Sequence, residues 1–251
     1  PCGRRFESCP PDHFLSRRAP KGKIMTDVVS YSLIGKVATL TMDDGKVNAI
    51  SPVMSAALDT GLNRAAKEAQ AIVIRGREGV FCGGFDLTII QGDDYEQKTQ
   101  MHEAGMALLK RIYMSSKPII FAVTGHAVAM GALLILTGDA RIGLSGNFRI
   151  GLNETSIGLT LPITGLELAR DRLDPRFFQL ATINAEFFSP EDAVLAGYLD
   201  HVTNTLDFDS TIIKISNDLA TISSKAFSET KRRVRQPTLD RIAALEQNLR
   251  H

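Results

Sequence analysis

One carboxylate in this chain sits where a proton could be passed to and from carbon. Glu154 lies in the run Ile-Gly-Leu-Asn-Glu-Thr-Ser-Ile-Gly at residues 150–158, among apolar and small neighbours. A carboxylate taken out of water resists ionisation, so its pKa climbs toward neutrality, where it can both accept a proton and return it. The plain alternative is a solvated loop glutamate, the commonest fate of an acidic residue. Two other segments weigh against that alternative.

In the first, Phe81, Cys82, Gly83, Gly84, Phe85 and Asp86 follow the short apolar run at residues 71–74. A buried strand opening into paired glycines lets backbone approach a ligand closely and leaves amide N–H groups free to donate. In the second, residues 118–142, an apolar strand at 119–123 leads through Gly125 and His126 into the small and aliphatic residues 127–136, which stop at Gly138 and Asp139. This reads as strand, tight turn and a buried helix starting near residues 129–131, whose first N–H groups are unpaired and carry a partial positive charge. Two backbone donors from separate segments and one buried carboxylate can hold an enolate while a proton moves.

These segments, taken with Val47-Asn48-Ala49-Ile50, Phe188-Ser189-Pro190-Glu191-Asp192-Ala193 and Ala196-Gly197-Tyr198-Leu199-Asp200-His201-Val202, resemble the crotonase (enoyl-CoA hydratase/isomerase) superfamily from about Met25 onward. The resemblance implies an α/β fold, a spiral of repeated ββα units with a C-terminal helical region that packs at a trimer interface. It places the oxyanion donors on the backbone N–H groups of Phe85 and Met130 and the catalytic carboxylate on Glu154. Gly83, Gly84, Asp86, Gly131, Leu133 and Asn153 then lie against the substrate, an acyl-CoA thioester. The family usually carries glycine where this chain has Met130, so the thioether must find room beside the thioester.

Leu133 decides the reaction that the resemblance implies. Hydratases of the family share a water between two glutamates; here the positions hold Leu133 and Glu154. A single base suits a proton moved between two carbons of one substrate, and the run around Glu154 resembles the mitochondrial type of Δ3,Δ2-enoyl-CoA isomerase. The expected activity is conversion of 3-enoyl-CoA to trans-2-enoyl-CoA. No cofactor is expected beyond the coenzyme A that the substrate carries. Hydration is the alternative within the enzymes. A crotonase-fold protein that binds acyl-CoA without turnover is the alternative of another class, opposed by the cost of an idle buried carboxylate.

The elements needed to position these groups are legible in outline. Residues 28–42 alternate around Gly35 and Lys36 as a hairpin, residues 52–69 have helical spacing, and residues 92–116 become helical toward their end. From residue 207 onward the pattern is helical, with Pro237 expected to separate the last helix from the one before. The cluster Lys231, Arg232, Arg233 and Arg235 reads as a solvated helix face, with contact to coenzyme A phosphates as its functional version. His126 reads as a structural histidine at a strand end.

The chain divides into a leader (1–24), a spiral core (25–206) and a helical region (207–251). The leader has six basic and two acidic residues and four prolines, and reads as disordered or extraneous, with a natural start at Met25. With a net charge of +1 overall, the body is left near −3, so no nucleic-acid surface is implied. No apolar run reaches membrane length. Cys2 and Cys9 fall in the leader and Cys82 stands alone in the body, which excludes a disulfide framework and suits the cytoplasm. Cys82 is expected to pack, not to react. No metal-spaced Cys or His pair, nucleotide glycine fingerprint or Gly-x-Ser-x-Gly elbow occurs in the body. A homotrimer or hexamer is implied by the resemblance alone.

Overall fold

The computed structural model describes residues 25–26 and 28–249; the expected leader, with Cys2 and Cys9, lies outside the described residues. The described residues open with an antiparallel ribbon of β1 (Met25–Thr26), β2 (Val29–Ile34) and β3 (Val37–Met42). Helix α1 (Pro52–Glu68) starts where the Ser51 hydroxyl accepts the Met54 N–H, with proline in its first turn. Then come β4 (Ala71–Arg75), β5 (Gly79–Cys82), α2 (Leu87–Gln91) and α3 (Tyr95–Tyr113). Strands β6 (Ile119–Val123) and β7 (Gly125–Val128) lead to α4 (Met130–Leu136). Strands β8 (Ala140–Leu144) and β9 (Ile150–Gly151) lead through a 3-10 turn (Thr155–Ile157) to α5 (Ile163–Arg172), α6 (Phe178–Thr182) and α7 (Pro190–Ala196). Strand β10 (His201–Thr203), α8 (Thr205–Ala220) and α9 (Ser224–Asn248) are the last elements among the described residues.

The strands form two sheets. A large one has the order β1-β2-β3-β4-β6-β8-β10, parallel from β3 onward, and a small parallel one has the order β5-β7-β9. Each of β4, β6 and β8 is followed at once by a strand of the small sheet and then by helix, which makes the chain a spiral of ββα turns as the resemblance implies. The apolar run at residues 71–74 does not itself open into the glycine pair: it is β4 of the large sheet, and β5 intervenes. The chain doubles back at Gly76, where a Cβ would lie 2.2 Å from the Val80 carbonyl oxygen. A strand of only four residues, half of them partly exposed, carries too little periodicity to stand out in sequence.

Both faces of the large sheet are covered. Ile72 and Ile74 join the main core with Leu40, Leu58, Phe121 and α4, while Val73, Ile120 and Ile142 point the other way onto Phe208 and Ile212 of α8. The expected break at Pro237 is absent, since α9 runs through it. A proline inside a helix costs about 3 kcal/mol or more, and the contacts around it hold both halves in line. Arg235 donates to the carbonyls of Tyr113, Thr137 and Gly138, and the Thr238 hydroxyl bonds Asp171. The helix boundary falls instead at residues 221–223.

The basic cluster is likewise only half a solvated face. Lys231 and Arg235 are buried and both pair with Asp139, at 2.7 and 3.0 Å, whereas Arg232 and Arg233 lie outside and pair with Glu229. Residues three or four apart share a helix face, so Lys231, Arg235 and Thr238 form one inward stripe on an amphipathic surface whose buried side is ionic. The Lys231 ammonium is drawn down to about 8 by burial, against the pull of Asp139.

Candidate active site

The three parallel strands of the small sheet end at the three groups singled out in sequence. β5 runs into Gly83-Gly84-Phe85, β7 into Ala129-Met130, and β9 into Leu152-Asn153-Glu154. Ligands in parallel sheets bind beyond the carboxyl ends of the strands, where successive loops converge. Residues far apart in sequence thereby become neighbours along one edge.

The loop at residues 47–50 aims the first donor. Asn48, fully buried with φ +53, sends its amide to the carbonyls of Met42 and Phe81, while its own Oδ1 accepts the Asp44 N–H. Ile50 N–H then bonds the Gly84 carbonyl at 2.8 Å. In a trans peptide the N–H points opposite to the C=O, so holding the Gly84 oxygen on one side directs the Phe85 N–H to the other. Gly84 adopts φ +107, and a Cβ there would crowd Ala129 at 3.2 Å.

The same geometry aims the second donor. The Ala129 carbonyl accepts Leu133 N–H inside α4, so the Met130 N–H points back out of the helix start. Ala129 itself has φ +52, a conformation costly for a residue with a Cβ, worth about 1–3 kcal/mol and held here by its N–H bond to the Gly151 carbonyl. Among the described residues neither the Phe85 nor the Met130 N–H has a protein acceptor. Gly131 lets α4 sit directly on β5, because a Cβ there would meet the Cys82 carbonyl oxygen at 2.3 Å. The Met130 side chain is buried and reaches Gly105 of α3, whose missing Cβ also leaves space for the Phe85 ring. Room for the thioether is thus made in α3.

Glu154 is 8% exposed, and its Oε2 is buried without a partner among the described residues. Burial raises its carboxyl above the ordinary 4.5, with the backbone N–H groups of Glu154 and Asn153 opposing the shift. Its loop is fixed by its own carbonyl, which accepts Ile157 N–H and Leu159 N–H. A carboxylate so held, dry and half-satisfied, is poised to take a proton.

Phe85, Leu133 and Glu154 line one cavity of about 230 Å³, lined otherwise by Ile90, Lys98, Met101, His102, Leu159, Thr160 and Pro162. Leu133 is 1% exposed, with its methyl groups against Gly165 and that residue's neighbour Pro162. Other expected contacts are placed differently. The Asp86 carboxylate caps α2 by accepting Thr88 N–H at 2.9 Å. Asn153 lines a separate hollow with His126, Arg149 and Phe187. His126 accepts the Arg149 N–H through Nδ1, the structural role expected of it. The buried Cys82 thiol is pushed up to about 12, which keeps it protonated and inert.

Lys98 and His102 escaped the sequence reading. They lie one turn apart on α3, flanking the buried Met101, and the i, i+4 spacing was the signal available. His102 also packs its ring against Phe85, with centroids 6.2 Å apart.

The Phe85 and Met130 N–H groups and the buried Glu154 carboxylate lie beyond the same ends of one small parallel sheet, an arrangement that can hold an oxyanion while a proton moves. The chain belongs to the enoyl-CoA hydratase/isomerase family, whose model matches residues 34–250. It is 28% identical over 211 residues to human enoyl-CoA delta isomerase 1, mitochondrial, covering 82% of this chain and 70% of that protein. An enoyl-CoA hydratase/isomerase family protein from Pseudomonas syringae superposes with a TM-score of 0.85 and 42% identity, covering 90% of this chain and 98% of that one. Human mitochondrial Δ3-Δ2-enoyl-CoA isomerase superposes with a TM-score of 0.83 and 26% identity over 87% of each chain. The protein is therefore an enzyme of the crotonase superfamily, and no helix among the described residues is long and apolar enough to cross a membrane.

Proposed function

We propose that the protein is an enoyl-CoA isomerase that converts 3-enoyl-CoA to trans-2-enoyl-CoA. The observation that carries this is that Glu154 is the one carboxylate among the residues lining the cavity; Leu133 also lines it, where the resemblance puts a hydratase's second glutamate. Glu154 removes a proton from C2, between the thioester carbonyl and the double bond. The electron pair moves onto the thioester oxygen, where the N–H groups of Phe85 and Met130 receive it. The same carboxyl then returns its proton to C4, the C3–C4 double bond becomes C2–C3, and nothing is gained or lost. Coenzyme A enters only as part of the substrate.

Hydration stands as a second reading because of His102. A water held by Glu154 needs another partner, and His102 lines the same cavity. Incubation with cis-3-enoyl-CoA and, separately, trans-2-enoyl-CoA, followed by chromatography and mass spectrometry, decides between them. Isomerisation gives a product of unchanged mass from the first and no added water in the second; faster water addition to the second establishes hydration. The homotrimer or hexamer is proposed from resemblance, with residence in the cytoplasm, and the assembly is read from mass in solution.

A further inference from the structure

The core holds a hydroxyl that the site as described does not use. Tyr198 follows the turn that ends α7, where its N–H bonds the Ala193 carbonyl at 2.8 Å. Its side chain is fully buried and packs on Phe188, with ring centroids 5.7 Å apart. Phe188 exchanges two backbone hydrogen bonds with Ile150 of β9, at 3.0 and 2.9 Å, so the tyrosine ring is placed beside the strand that leads to Glu154. Alternate N–H groups of a strand face the same side, and the Leu152 N–H, two residues beyond Ile150, faces the Tyr198 hydroxyl oxygen. That hydroxyl still has no full hydrogen bond among the described residues, and neither has Oε2 of Glu154. Burial raises the Tyr198 pKa above its ordinary 10; the Leu152 N–H opposes the shift and the charge of Glu154 adds to it.

A neutral hydroxyl has one proton to give, and an ionised carboxylate has only lone pairs to offer. With its oxygen turned to the Leu152 N–H, the Tyr198 hydroxyl is left with its proton free to point at Glu154. We infer that Tyr198 is a positioning residue for Glu154: its O–H dipole, aimed from the core at the buried oxygen of the carboxylate, holds that oxygen back and leaves the other to meet the substrate. Tyr198 is not among the residues lining the cavity, so it acts through Glu154 and not on the substrate. The inference rests on the reading of Glu154 as the base given above, and deepens it.

A donor aimed at a carboxylate favours its charged form. Tyr198→Phe removes the hydroxyl and keeps the ring, so it should raise the Glu154 midpoint by about one pH unit, the mark of an about tenfold weaker acid. Lys98 and His102 of α3 are the other titratable groups lining the cavity; both are present in either protein, so their influence cancels in the difference. Carbon-13 NMR of protein labelled at its glutamate carboxyls, with the Glu154 signal identified by its absence from Glu154→Gln, reads the midpoint without any turnover. The pH profile of kcat/KM should be displaced in the same direction. A tyrosine that serves packing alone leaves the midpoint where it is, and a folded Tyr198→Phe protein whose midpoint is unmoved or lower overturns the inference. In the unsubstituted protein the Tyr198 Cζ signal should follow the Glu154 titration and lose that step in Glu154→Gln; a flat signal overturns the inference even where Tyr198→Phe does not fold. A raised midpoint in a protein that does not isomerise 3-enoyl-CoA supports the role of Tyr198 and overturns the isomerase reading.

Discussion

Replacing Gly105 by alanine tests whether the Phe85 N–H is an oxyanion donor. Gly105 lies on α3, yet an added Cβ would sit 2.5 Å from both Cε1 and Cζ of the Phe85 ring and 3.3 Å from the Met130 methyl. Ordinary contact begins near 3.4 Å, so the ring must retreat by about 0.9 Å. Rotation about the side-chain bonds absorbs part of this and the remainder falls on the Phe85 backbone. That backbone has little play, because the Ile50 N–H bond to Gly84 at 2.8 Å fixes its peptide plane. Losing one oxyanion donor outright costs about 10²–10³ in kcat, and a misplacement of about 1 Å can cost about 10². With the shift shared between ring and backbone, Gly105→Ala is expected to lower kcat by about 10- to 100-fold. Stability moves far less: alanine gains about 1 kcal/mol of helix propensity and overpacking costs about 1–3 kcal/mol. The assay is appearance of the conjugated thioester by ultraviolet absorbance, with thermal melting as the control for folding. A folded Gly105→Ala protein that keeps kcat within about twofold would refute the reasoning that the Phe85 ring carries the added Cβ's push to its N–H.

Glu154→Gln should keep acyl-CoA binding while turnover falls by at least about two orders of magnitude; in the wild type, kcat/KM should rise with pH through a midpoint above the ordinary carboxylate value of 4.5, since only the ionised form is a base. The same raised pKa means that the folded state holds a proton longer than the unfolded one, so this group's contribution to stability is present below pH 4.5 and declines as pH climbs through the raised midpoint, a decline that Glu154→Gln should remove from urea melts. Leu133→Glu should give weak hydration of trans-2-enoyl-CoA and slower isomerisation, and a wild type that already hydrates faster than it isomerises would show that Leu133 was misjudged. Asp139→Asn strips two buried cations of their shared counter-charge and should cost about 3–5 kcal/mol in denaturant titrations; a loss below about 1 kcal/mol would show that neither Lys231 nor Arg235 depends on Asp139.

What could be read from the chain depended on how local its cause was. The donor loops were legible because their chemistry requires particular residues in succession: Gly83-Gly84 before Phe85, small residues around Met130, an acidic residue among apolar ones at Glu154. The walls were not. Lys98 and His102 become cavity residues only because Gly105, a turn further along α3, lets Phe85 and Met130 pack close. Pro237 misled for the same reason, since its local preference to break a helix is overruled by Arg235 and Thr238 reaching distant partners. Lys231 and Arg235 look solvated by type and are buried by virtue of one aspartate, Asp139, that lies nearly a hundred residues earlier.

The division between legible and illegible follows the division of labour in the site. The proposed oxyanion donors are main chain, aimed by peptide planes whichever side chains Phe85 and Met130 carry. A fold built this way can change its reaction without rebuilding its charge-stabilising edge, by altering the few side chains that share the chamber with Glu154. Leu133 and His102 occupy those places on the wall. The first puts an apolar side chain on that wall, its methyl groups packed against Gly165 of α5. The second puts a polar side chain from α3 on the same cavity. If Glu154 is the base, the reaction is set at these two places: a change at Leu133 can put a group beside it, and a change at His102 removes a polar side chain that could share a water with it.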